Sequence, residues 1–163
     1  MSVKTVNGPG VGGIHPEPIV VTMKASEAIS QYYICQIDIT NAATTTAPGL
    51  STSPFYLVRQ PDTESGTLRT LSTYVFGVAQ EAIAAGATGK VMLRGYTPMR
   101  CDGSTVQGSA LVPAADGEGD LTTGGTNFKV IALALEADTS NIANVWFDGI
   151  NGFGNDVGTN VST

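Results

Sequence analysis

Short runs of β-branched and aromatic residues alternate along the chain with stretches rich in Gly, Pro, Ser, Thr and Asn. Such runs, when turn-forming residues bound them, are typical of β-strands. Alanine-rich residues 80–85 have helical propensity, but a helix there would be too short to persist without tertiary contacts. Residues 24–30 fit one helical turn or a loop. The runs predict strands at 19–23, 32–39, 55–59, 75–82, 90–95, 109–112, 130–137 and 144–149.

The second half of the chain contains a repeat. Val75–Ala82 matches Val130–Ala137, with Val, Ala, Glu and Ala at identical positions, and Lys90–Gly95 matches Asn144–Gly149. The two copies differ by one residue in the loop, where length changes are best tolerated. Each copy therefore predicts a strand, a loop of small residues and a second strand that ends at Gly. Two such units are typical of a small β-barrel or sandwich built by duplication.

The second strand of each copy is apolar on both faces. Trp146 and Phe147 are adjacent, so on a strand one enters the core while the other faces outward. Met92 and Leu93 form the same pair in the first copy. An outward aromatic residue on a strand that is apolar on both sides indicates a face covered by another subunit or by the N-terminal segment of the chain. We therefore predict that Trp146 and Phe147 belong to a partner-binding strand.

The two ends of the chain differ in composition from its middle. Residues 1–17 are rich in Gly and Pro, which favour neither helix nor sheet. They form either a disordered leader or an extended arm that docks on a partner; Val11, Ile14, Pro16 and Pro18 would then make its contacts. We predict three parts: an arm at 1–17, a core domain at 18–150 containing the repeats 75–95 and 130–149, and a C-terminal tail at 151–163.

Composition and charge narrow the possible partners. Of the 163 residues, 42% are hydrophobic, which is enough for a core, whereas only 13% are charged. The net charge is −6, and the 8 Lys and Arg residues are scattered singly. Binding to nucleic acid or to an anionic membrane requires clustered cations, so we expect neither partner. Residues 1–10 lack the apolar core of a signal peptide, so we expect assembly in a cytoplasm, where Cys35 and Cys101 would be reduced thiols rather than a disulfide.

The chain is poor in the residues that catalysis needs. Its single histidine, His15, lies in the predicted arm, so a Ser–His–Asp or Cys–His arrangement, and with it a hydrolase, is disfavoured. Neither cysteine has the spacing of a zinc site, and Asp116–Asp120 lacks the ligand order of a calcium loop. Glu81 and Glu136 occupy matched positions, where we expect them to bind loop N–H groups rather than to act as an acid–base pair. We predict no catalytic, cofactor or metal site.

The repeated strands resemble those of a known family. Val75–Ala82, Val91–Gly95, Leu111–Pro113 and Val130–Ala137 are similar to the strands of the capsid decoration, or cement, proteins of tailed bacteriophages. The resemblance covers roughly residues 70–150. It implies an all-β fold: a small β-barrel or sandwich (β-tulip-like) with an extended N-terminal arm and at most one or two short helices.

The same resemblance implies a structural role without catalysis. It suggests a homotrimer on the outer capsid surface of the virion, bound to the major capsid protein, with N-terminal arms that reach across capsomer boundaries. The alternative is a receptor- or carbohydrate-binding β-module of a phage tail or fibre. That alternative requires an exposed aromatic platform, and Trp146 is the only tryptophan in the chain.

Overall fold

A computed structural model describes residues 17–37, 57–61, 75–114, 116–121, 128–153 and 155–156. This part of the chain contains β-strands and no helix, which confirms the predicted all-β class. The strands are Ile19–Ala25 (β1), Ile34–Ile37 (β2), Leu57–Arg59 (β3), Phe76–Ala79 (β4), Thr88–Arg100 (β5), Ala110–Pro113 (β6), Gly119–Leu121 (β7), Phe128–Lys129 (β8), Ala132–Ala134 (β9), Ile142–Asp148 (β10) and Asn155–Asp156 (β11).

Five strands close into a barrel, which we call barrel 1. Their order is β1-β3-β2-β4-β5, and β1 pairs again with β5 to complete the circle. All neighbouring strands are antiparallel except β1 and β3, which run parallel. Closure leaves these strands without free edges, which is how small β-proteins avoid edge-to-edge aggregation.

The second half of β5 continues into a further set of strands, which we call barrel 2. It consists of β5 from Gly95 onward, β10, β9, β6 and β7 in that order. A parallel bridge between Cys101 and Gly119 links β7 back to the end of β5. The long strand β5 is therefore a wall of both barrels.

The predicted repeat is present in the strand register. In the first copy Val78 lies opposite Met92, and in the second Leu133 lies opposite Trp146. The copies that the sequence aligned thus pair through the same positions, although β9, with three residues, is one residue shorter than β4.

The repeat also extends beyond the segments that the sequence indicated. Met23 of β1 lies opposite Gly89, and Met99 of β5 lies opposite Ala143 in the same way. Further matched contacts follow: Tyr32 N–H donates to Ala79 O as Gly108 N–H donates to Ala134 O, each at 2.8 Å. The sequence signal is short: Met23-Lys24-Ala25 against Met99-Arg100-Cys101.

Each barrel encloses its own buried cluster. Outward-facing side chains of β2 and β4 in barrel 1 pack with the cluster of barrel 2. Inside barrel 1 the buried side chains include Cys35, Ala79 and Val91. Ile34 and Val78 point the other way, since neighbouring residues of a strand face opposite sides, and they pack with the core of barrel 2. The core of barrel 2 contains Met99, Cys101, Leu111, Ala134, Ala143, Val145 and Phe147.

Some strand limits differ from the prediction. The first copy's second strand was expected to end at Gly95, but β5 runs on to Arg100. Gly95 has a φ of 133°, which a residue with a side chain rarely adopts, so glycine lets the strand bend there without ending. Tyr32 has a φ of 68°, so β2 begins only at Ile34. Residues 80–85 form a loop rather than a helix.

The predicted arm and tail lie mostly outside the described residues, which begin at Glu17 and end at Asp156. Beyond residue 150, Phe153 N–H donates to Val130 O at 2.8 Å, and β11 pairs with β8. The segment that follows the second barrel is therefore hydrogen-bonded to the domain over its first residues.

Candidate functional site

An apolar row crosses the outer side of barrel 2. Tyr96 on β5 lies opposite Trp146 on β10, Trp146 lies opposite Leu133 on β9, and Leu133 lies opposite Ala110 on β6. Directly opposed residues of a sheet have Cβ atoms about 4.5–5.5 Å apart, so these four side chains form a continuous surface. We call Tyr96, Ala110, Leu133 and Trp146 the terminal face.

Exposure is greatest at Tyr96, at one end of this face. Ala110, Leu133 and Trp146 are half-buried, whereas Tyr96 is 55% exposed. Leu133 and Ala110 pack on Val112 and Val130, which are buried. The terminal face is thus anchored to barrel 2 on one side and presents two aromatic side chains on the other. Tyrosine and tryptophan are the residue types that most often anchor protein interfaces.

Trp146 and Phe147 divide as the strand alternation predicts. Phe147 is fully buried in the core of barrel 2, and Trp146 lies on the outer side. Of this predicted partner-binding pair, only Trp146 is accessible in the single chain, because the barrel encloses Phe147.

The four predicted arm contacts can be placed only in part. Val11, Ile14 and Pro16 lie outside the described residues. Pro18 is exposed, and a Cβ atom added to Gly95 would lie 3.0 Å from its Cβ. Pro18 therefore lies against the bend in β5, at the junction of the two barrels.

An ion pair lies at this same junction. Arg94 Nη2 is 2.6 Å and Nε is 3.0 Å from Asp148 Oδ2. Asp148 Oδ1 accepts the N–H groups of Ile150 and Asn151, at 3.2 and 3.0 Å. Burial raises the pKa of Asp148, but the hydrogen bonds from Arg94 and from these N–H groups outweigh burial and bring the pKa below its ordinary value. The carboxylate thus closes the turn after β10.

Lys129 completes this polar cluster from β8. Its Nζ donates to the carbonyl oxygens of Gly149 and Ile150, at 3.0 and 2.8 Å. Burial lowers the pKa of Lys129, and the nearby Asp148 charge works in the opposite direction. The cluster therefore holds the turn after β10 through contacts within the chain.

The glutamates at matched positions have the structural role that we expected. Glu81 Oε1 accepts the N–H of Lys90 at 2.9 Å, and Glu136 Oε1 accepts the N–H of Asn144 at 3.2 Å. The two carboxylates close the same loop in the two copies. Each has a backbone donor as its partner rather than the other carboxylate.

The remaining candidate groups have local partners. In the acidic turn, Glu118 N–H donates to Asp116, and the Glu118 carboxylate pairs with Arg100 at 2.9 Å. His15 lies outside the described residues. Among the residues that the structure describes, no group of three or more His, Cys, Asp or Glu side chains could hold a metal ion.

Both cysteines are free and buried. Burial raises the pKa of Cys35 to about 12, against a smaller lowering by its contact with Gly77 O. Burial also raises the pKa of Cys101. Because the thiolate is the reactive form, neither side chain has the properties of a nucleophile.

Tyr96 is the one exposed member of the terminal face that sequence reasoning missed. The prediction ended the strand at Gly95, so Tyr96 had no assigned side. The match between Met23 and Met99 could have revealed it, because that match extends the repeat past Gly95 and so includes residue 96 in the strand.

Across the described residues, no helix has the length and apolar character of a membrane span.

These observations define an all-β structural module with an apolar outer face. A family model described as phage cement protein matches residues 36–148, which include most of both barrels. The chain belongs to the phage cement protein family, and it is a structural protein of the phage virion located at the capsid.

A solved structure is also similar: the N base of the head fiber gp8.5 of bacteriophage phi29. The identity is 15% and the TM-score 0.46, with 82% of this chain and 96% of that chain covered. No curated protein matches the chain.

Proposed function

We propose that this protein decorates the outer surface of a phage capsid as a homotrimer and stabilises the shell without catalysing a reaction. The observation that carries the proposal is the family match, because it includes most of both barrels rather than a single strand motif. The chain would assemble with the major capsid protein in the host cytoplasm.

The geometry of the described residues supports a structural role. Their acidic and thiol groups are used within the chain: Glu81 and Glu136 close loops, Asp148 closes a turn, and the cysteines are buried. Barrel 2 also presents the apolar terminal face, which suits contact between proteins.

A trimer explains how a small module can hold a shell without a deep pocket. Three linked contacts act at high effective concentration, so avidity can exceed the affinity of one contact by about 10²–10⁴-fold. We propose that residues 1–17 extend from residues 18–150 as an arm, that Val11, Ile14, Pro16 and Pro18 bind neighbouring capsid subunits, and that residues 151–163 form a tail.

Co-sedimentation with purified empty heads tests the proposal. We expect wild-type protein to saturate the heads and to raise the temperature at which they disrupt. A variant that lacks residues 2–17 should keep the circular dichroism spectrum of the wild type but bind more weakly. A chain with a scrambled arm of the same length and composition is the matched control for arm length.

Two outcomes would contradict separate parts of the proposal. Wild-type protein that fails to bind heads at any concentration would refute the decorating role. A deletion variant that loses its β-sheet spectrum would refute the division between arm and core.

A further inference from the structure

In barrel 1, the residues that match Ala110 and Leu133 of the terminal face are covered within the chain. Ile34 and Val78 of barrel 1 match Ala110 and Leu133 of barrel 2, because each pair lies opposite one another in the same register. Ile34 and Val78 are both 0% exposed, since they pack with the core of barrel 2. Ala110 and Leu133 are only half-buried.

The aromatic part of the face follows the same rule at Trp146 but not at Tyr96. Met92 matches Trp146 and is 7% exposed, while Trp146 is half-buried. Val20 matches Tyr96, and both are at the rim, 44% and 55% exposed. The two copies therefore form the same outward surface, and in barrel 1 its members Ile34 and Val78 are covered by a barrel of the same kind.

The surface of barrel 2 that covers Ile34 and Val78 is more deeply buried than the matching surface of barrel 1. In barrel 2, Phe147 is 0% exposed in the core that receives Ile34 and Val78. Thr97 is 1% exposed and accepts a hydrogen bond from Gln80 Nε2 at 3.0 Å. Their counterparts in barrel 1, Val21 and Leu93, are half-buried. Barrel 1 of a second copy thus offers the same kind of surface as the one that covers Ile34 and Val78 within a single chain.

We propose that the terminal face binds barrel 1 of a second copy of this chain, near Val21 and Leu93. The contact is head-to-tail, since it joins two different surfaces, and such contacts close into a ring when the rotation allows. This inference rests on the proposed function for the trimer. It deepens that function by naming the surfaces through which the copies associate.

Two variants and a control test the contact by size-exclusion chromatography with light scattering. The face variant carries Tyr96→Ser and Trp146→Ser, and the barrel 1 variant carries Val21→Lys. Because buried aromatic anchors dominate interface energies, we expect each variant to associate more weakly than wild type by roughly tenfold or more. Val106→Ser is the control, since Val106 is 60% exposed and outside the face.

Mixing the two variants distinguishes a head-to-tail contact from other arrangements. Each variant retains the surface that the other has lost, so an equimolar mixture should form a one-to-one heterodimer. Thermal melts by circular dichroism confirm that each variant is folded. If Val21→Lys does not fold, the face variant still tests the contact, because its Trp146 matches Met92, which is 7% exposed.

The results separate this inference from the proposed function. A face variant with wild-type mass, a mixture that stays monomeric, or a monomeric wild type would overturn the head-to-tail contact. A face variant with wild-type mass that fails to bind heads would show that the face contacts the shell instead, and would leave the decorating role intact. Wild type that associates with itself but never binds heads would refute the decorating role and leave the contact standing.

Discussion

Arg94 and Asp148 face each other across the β5–β10 ladder, with Nη2 and Oδ2 2.6 Å apart. Arg94 is the last residue of the part of β5 that belongs to barrel 1. Asp148 is the last residue of β10 in barrel 2. The pair therefore joins the two repeats at the point where β5 passes from one barrel to the other.

Replacement of Asp148 by Asn should destabilise the protein by about 2 kcal/mol, because a largely buried charge-assisted hydrogen bond is lost. The pKa of Asp148 is lower in the folded state than in the unfolded chain. Its contribution is therefore fully present above the unfolded value of about 3.9 and is lost as pH falls through the folded value.

Urea unfolding of wild type and Asp148→Asn between pH 7 and pH 2 measures this effect. The difference in free energy of unfolding between wild type and variant should shrink below about pH 4. There the Asp148 carboxyl binds protons more readily in the unfolded chain than in the folded one. Asp116→Asn, at an exposed carboxyl whose amide replacement can still accept the Glu118 N–H, is the control. A difference that stays constant over the whole range would contradict the assignment.

Gly149 should not tolerate a side chain. A Cβ atom there would overlap the carbonyl oxygen of Phe76, whose N–H donates to Gly149 O. We expect Gly149→Ala to destabilise by about 1–3 kcal/mol or more, because the overlap is with backbone and has no flexible group to move.

Gly86→Ala is the comparison for Gly149→Ala. Gly86 has open space around its Cβ position but a φ of +77°, so its cost of about 1 kcal/mol arises from the backbone alone. Thermal melts of both variants separate the two causes. Equal losses would show that steric overlap at Gly149 is relieved.

Glu81 and Glu136 should both stabilise their loops, Glu136 more strongly than Glu81. Each accepts one backbone N–H, and Glu136 also accepts a side-chain N–H from Asn144 Nδ2 at 2.8 Å. Glu81→Ala should cost about 0.5–1.5 kcal/mol, Glu136→Ala more, and Glu→Gln less at either position because an acceptor oxygen remains. The double Ala variant should show the sum, since the two sites share no partner. Denaturant unfolding checks this, and a double variant no less stable than either single variant would refute independence.

Cys35 and Cys101 should be inert in the folded protein. Burial raises the pKa of Cys35 to about 12 and also raises that of Cys101, so almost no thiolate is present near pH 8. A chromogenic thiol reagent should react with neither cysteine natively and with both in denaturant. Rapid native reaction of one thiol, identified by Cys→Ala variants, would contradict the buried placement.

Periodicity and turn residues sufficed to predict the strand class, the alternation of Trp146 and Phe147, and the repeat that begins at Val75. They did not reveal that the repeat begins at β1, because only Met23-Lys24-Ala25 and Met99-Arg100-Cys101 preserve it in residue type. The rest is preserved in backbone hydrogen bonds, which tolerate many side chains.

The terminal face was predicted only at Trp146 for a related reason. Glycine inside a strand pattern usually marks an end or a bend, and Gly95 was interpreted as an end. Which of the two it is depends on the partner strand, here β10, whose pairing with residues 94–100 is a long-range contact that local pattern cannot report.

The shared strand β5 has a consequence for how the protein unfolds. Neither barrel can lose this strand without opening the other, so the two repeats have no separate melting transitions despite their separate cores. The molecule should behave as one cooperative unit, in which a local disturbance anywhere along residues 88–100 lowers the stability of both halves together.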